Sequence, residues 1–145
     1  MENLLWARKI AGSFYGEDKV KAYLIIGHLG NDDDDFASAI NAFPEVRKTG
    51  TGIYRSLIVI ANTLVDCDRA KQAYDFLCSD SLLGVDSGEI DEALAIIAVS
   101  HLSGGDVESA CQVAKKLVTD REKANVWRAI AIFALKKEKE EKEEK

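Results

Sequence analysis

Two histidines, three cysteines and a run of four aspartates are the side chains with usable chemistry, and their spacing limits what they can do. Asp32-Asp33-Asp34-Asp35 could attract Ca²⁺, which takes six to eight oxygen ligands. A helix-loop-helix calcium site counted from Asp32 fails, however: Phe36 falls fifth, Ala37 stands where glycine is needed, and Phe43 stands where the closing glutamate belongs. The run fits better as the cap and acidic first turn of a helix beginning near residue 34, where negative charge meets the positive helix end. His101 has Ile97 and Gly105 four residues to either side, so no ligand pair forms. His28 has Asp32 four residues on, but Gly30 between them breaks the shared face. Cys67, Cys78 and Cys111 are odd in number and lack zinc or redox spacing, as expected of plain thiols in a reducing compartment. Gly-X-Ser-X-Gly is absent, and no cysteine has a histidine beside it in the sequence. Lys48-Thr49-Gly50-Thr51-Gly52 has the wrong order for a phosphate loop and reads as a flexible linker. No catalytic residue, metal ligand or cofactor is expected, and the chain is not expected to be an enzyme.

The 145 residues suit one domain, and 47% hydrophobic with 30% charged residues lies outside the disordered class. A net charge of −6 argues against a nucleic-acid partner. The longest uncharged stretches are too short to span a bilayer, and the first residues lack the layout of a signal peptide. A cytoplasmic protein without a membrane partner is expected. Residues 136–145 hold five lysines and five glutamates, a charged tail that extends the last helix or frays from it; residues 1–135 then form a single domain.

Three segments of that domain look alike. Each has a small residue after an isoleucine (Gly27, Ala61, Ala98), with an alanine twelve positions later (Ala39, Ala73, Ala110). A fourth start appears at Ala131. With apolar residues at helical spacing and almost no proline, the pattern predicts helices near 2–14, 18–30, 34–43, 52–66, 68–79, 87–103, 106–119 and 121–141, and no strand. Asp86 and Asp106 are expected to cap two of them, and Asp120 the last. The segments 46–52 and 80–88 read as linkers. In each pair the small residue would let two helices approach closely. Trp6 and Trp127, on the terminal helices, are expected to pack the ends.

These matches (Ile26-Gly27 with Ala39 and Phe43, Ile60-Ala61 with Ala73 and Leu77, Ile97-Ala98 with Ala110) resemble the tetratricopeptide family, a helix-turn-helix repeat of about 34 residues. The family's early tryptophan is replaced by Tyr23, Leu57 and Leu94, and its terminal proline is missing. The resemblance implies an all-α fold, a right-handed superhelix of about three antiparallel hairpins with terminal capping helices. It also implies a concave groove lined by Lys21, Leu24 and His28, then Arg55, Ile58 and Asn62, then Ala95, Val99 and Arg128. That strip lacks the paired lysines and asparagines of family members that clamp C-terminal carboxylates. Its apolar middle and cationic edges suit a peptide or an amphipathic helix. The expected function is therefore non-catalytic protein binding by an unidentified protein or peptide partner. The alternative is a structural protein that self-associates into a homo-oligomer, and an enzyme or ligand carrier with a site around His28 or Cys67 comes third.

Overall fold

A computed structural model of the chain describes residues 2–144; Met1, which opens the expected domain, and Lys145, which closes the expected tail, lie outside the described residues. Every regular element in the described residues is helical, as the 3.6-residue periodicity predicts. The elements are α1 (Glu2–Ser13), α2 (Glu17–Gly30), α3 (Asp33–Asn41), α4 (Phe43–Thr49), α5 (Ile53–Asp66), α6 (Ala70–Leu77), a 3₁₀ turn (Asp80–Leu82), α7 (Ser87–Ser103), α8 (Val107–Ala114) and α9 (Asp120–Glu143). They form two compact units, one ending at Leu83 and one starting at Gly84.

In the first unit α2 packs on α3 and α5 on α6, each pair joined by a short turn. The small residues decide how closely. A Cβ placed on Gly27 would lie 2.8 Å from two Phe36 ring carbons, so α3 rests its aromatic ring directly on the α2 backbone. Ala39 and Ala73 are fully buried, and so, to within 1%, is Ala61. The hairpins are stacked in the same sense. Glu17 and Arg55 join the N-terminal ends of α2 and α5, while His28 and Cys67 meet at their C-terminal ends, so the two first helices run parallel. The second helices follow suit. Arg69 at the start of α6 pairs with Asp33 at the start of α3 and stacks 4.7 Å over Phe36, and just past the end of α3 Phe43, the first residue of α4, meets Phe76 of α6 edge-on at 5.2 Å. On the outside, Arg8 of α1 holds the buried Asp35 with two 2.8 Å bonds.

The second unit is a third hairpin, α7 with α8, on which α9 lies. Ala98 and Ala110 are fully buried at its crossing. Its turn repeats that of the second hairpin. Asp68 and Gly105 are both left-handed (φ 61° and 81°), each seven residues after its small residue. The next amide then reaches back five residues in both, Arg69 N to Leu64 O (2.7 Å) and Asp106 N to His101 O (2.9 Å), the closure that satisfies helix-end carbonyls.

Several expectations need correction. Residues 46–52 are not a linker throughout: Pro44, tolerated in a first turn, lets the chain bend after α3 and continue as α4, which buries Phe43 and Val46. Only Gly50, Thr51 and Gly52 remain, with both glycines at positive φ. Part of the 80–88 segment is a 3₁₀ turn whose carbonyls at Ser81 and Leu83 receive the Arg47 guanidinium at 2.7 and 2.6 Å. Helix α8 stops at Ala114 instead of 119, because the Val118 and Thr119 amides and the Thr119 hydroxyl bond the buried Asp91 carboxylate at 2.7–3.2 Å. Asp86 and Asp106 do cap α7 and α8. Asp120 does not cap α9, whose cap position is Thr119. Trp6 packs little, being 69% exposed.

Two substitutions test these contacts. Alanine usually stabilises a helix relative to glycine by about 1 kcal/mol. Gly27→Ala is nonetheless expected to lower stability by about 1–3 kcal/mol in urea unfolding, because the buried Phe36 ring has nowhere to go. Asp91→Ala is expected to cost about 2–4 kcal/mol by the same measurement, since the amides at 118 and 119 lose a charged acceptor.

Candidate functional site

The furrow between the parallel helices α2 and α5 opens into a cleft of about 440 Å³. Leu24 and Val59 form its apolar wall with Ile25 and Leu29, and Lys21, His28, Thr63 and Asp66 edge it. Ile25 and Leu29 are 61% and 73% exposed, so large apolar side chains stand open to solvent at its rim.

Of the expected groove residues, Lys21, Leu24 and His28 come together here. Ile58 and Asn62 do not line the cleft; Val59 and Thr63, one position along, take their place. The reason is geometric. A furrow between two parallel helices is walled by opposite flanks of the two, whereas a repeat frame selects the same flank from both. Ala95, Val99 and Arg128 belong to the second unit. Val99 edges a separate cleft of about 340 Å³ between α7 and α9, with Leu102, Ile132 and Phe133; Ala95 and Arg128 are not among its lining residues.

Electrostatics give the α2–α5 cleft a direction. At the N-terminal end Arg55 grips Glu17 with both prongs (2.8 and 3.1 Å), and Lys21 adds a contact at 3.2 Å. The bond from Arg55, with help from Lys21, lowers the Glu17 carboxyl from 4.5 to about 2. Two of the expected groove cations, Lys21 and Arg55, thus share one carboxylate. At the other end Asp66 is exposed in the last turn of α5, where the negative dipole ends of α2 and α5 lie side by side, so this end is negative.

The fold also creates a neighbour pair that the sequence separates by 39 residues: His28 Nδ1 lies 3.2 Å from Cys67 Sγ. Burial and then the charge of Asp66 push the Cys67 thiol up from its usual range. It therefore stays protonated at neutral pH, and we assign it as donor to Nδ1. A protonated thiol at a negative helix end is a weak nucleophile. Among the described residues no three His, Cys, Asp or Glu side chains converge as metal ligands, and no helix is long and apolar enough to cross a membrane. In comparisons with family models, curated proteins and solved structures, nothing matches this chain.

Because the Glu17 pKa is depressed on folding, its contribution to stability is complete above about pH 4.5 and is lost as pH falls towards 2. Glu17→Gln is expected to flatten the stability profile across that window relative to the parent chain, as followed by thermal melts at stepped pH.

Proposed function

We propose that the protein is a non-catalytic binding module of the tetratricopeptide type, and that the α2–α5 cleft takes the apolar face of a partner helix or short peptide. The observation that carries this reading is the exposure of Ile25 and Leu29 on the rim of an apolar cleft with charge confined to its ends. A soluble face gains nothing from two such side chains, whereas a docked helix would cover them at about 1.5–3 kcal/mol each. The like-oriented hairpins and the repeated turn at Asp68 and Gly105 support the repeat reading, and with it a superhelical arrangement. The polarity of the cleft favours a partner that places lysine or arginine against Asp66 and an acidic residue towards Lys21 and Arg55.

A peptide array tests this directly. Ligands with apolar residues at helical spacing and a basic residue at one end are expected to bind the parent chain. Leu29→Glu is expected to weaken them about tenfold to a hundredfold without changing the melting temperature, and Asp66→Lys to select against basic peptides. An array on which Leu29→Glu keeps the same ligands at the same strength would defeat the proposal.

A further inference from the structure

The first three small residues of the repeat, Gly27, Ala61 and Ala98, are buried under the second helix of their hairpins, but the fourth, Ala131 in α9, is exposed. Helix α9 buries one face, through Val126 and Ile130, against α7 and α8. Its other face carries Trp127, Ala131, Ala134 and Leu135, at the i, i+4, i+7 and i+8 positions of a helical stripe. Trp127 stands four residues before the small residue, as Tyr23, Leu57 and Leu94 do in the earlier hairpins, yet it is 40% exposed and Leu135 is 66% exposed. No helix of the described chain covers this face. In repeat terms α9 is a first helix without its second.

We propose that the missing helix is α9 of a second copy, crossing antiparallel about Ala131. The face is self-complementary. Each copy presents a shallow alanine centre, with a large side chain four residues before it and another four residues after it. Antiparallel pairing about Ala131 therefore sets Trp127 of each copy beside Leu135 of the other, while the alanines let the backbones close up. The charges agree with a self-partner. The stretch beyond Leu135 interleaves lysines with glutamates, as in the Glu138–Lys142 pair, so it presents both signs and no single-sign field to repel its own copy. The area is sufficient but modest: the bare apolar stripe, with Ile132 at its edge, offers roughly 500 Å² per copy, close to the lower bound of about 1,000 Å² in total for a specific interface.

Sedimentation velocity on the full chain across a wide concentration range provides the test. A monomer–dimer equilibrium with a midpoint in roughly the micromolar range is expected. Leu135→Glu lies at an exposed site and is expected to keep the helical circular dichroism while weakening the dimer about tenfold or more. Trp6→Glu, on the equally bare α1, is expected to leave it unchanged. In a chain whose three native cysteines are serine, Ala131→Cys is expected to form a disulfide-linked dimer under mild oxidation, and Glu141→Cys is not, because antiparallel crossing carries the two 141 positions about 30 Å apart. A monomer at every concentration, a dimer indifferent to Leu135→Glu, one lost on Trp6→Glu, or cross-linking at 141 but not 131 would each overturn the proposal.

Discussion

Close approach of two helices at a residue without a bulky side chain is the constraint on which the rest of the structure depends. At Gly27 the absence of even a Cβ lets the Phe36 ring lie against the α2 backbone, and Ala61 and Ala98 do the same work with a methyl group. Once each second helix is drawn in that far, its own small residue at the crossing (Ala39, Ala73 or Ala110) is sealed from water. Dispersion contacts at such a crossing are individually weak and collectively large, and a gap of about 0.5–1 Å already forfeits a quarter to a half of each. The cleft is a consequence: it exists because α2 and α5, each packed on its own second helix, run side by side.

Much of this was legible in the chain. Helix existence follows from apolar spacing and from the scarcity of proline, and the paired small residues mark the crossings in the sequence itself. What stayed hidden depended on contacts between distant segments. The early end of α8 follows from a carboxylate 27 residues upstream, Asp91, that outcompetes the helix for two amides. The short helix after Ala42 hid because proline reads as a breaker, although it sits comfortably in a first turn. The walls of the cleft were half right for a related reason. A repeat frame places residues relative to their own helix, and it carries no information on which flank a neighbouring helix leaves open, so it points to Ile58 and Asn62 where the cleft is lined by Val59, Thr63 and Asp66.

Charge serves position here more than reactivity. Lys19 and the Gly16 amide both bond Glu45, at 3.1 Å each, so the turn before α2 is fastened to α4, and the Gly16 amide chiefly holds that carboxyl below its ordinary range. Arg47 fastens the close of the first unit, and Asp91 the end of α8. Each of these groups directs its hydrogen bonds to the chain's own turns and helix ends. Cys67 and His28 show the same bias: they touch, but the thiol is kept in its inert form by its surroundings.

The aspartate run, the most conspicuous feature of the chain, turns out to be a clasp. Asp32 holds the start of α3, Asp33 takes Arg69 from one side, and Asp35 takes Arg8 from the other. Two helices from separate parts of the chain, α1 and α6, are thereby hooked onto the first turn of α3. For α1 this has an evolutionary corollary. Its outward residues Leu5 and Trp6 can drift with little effect on what lies beneath them, whereas a change at Arg8 would unhook the helix and leave the shielded carboxylate of Asp35 without its counterion.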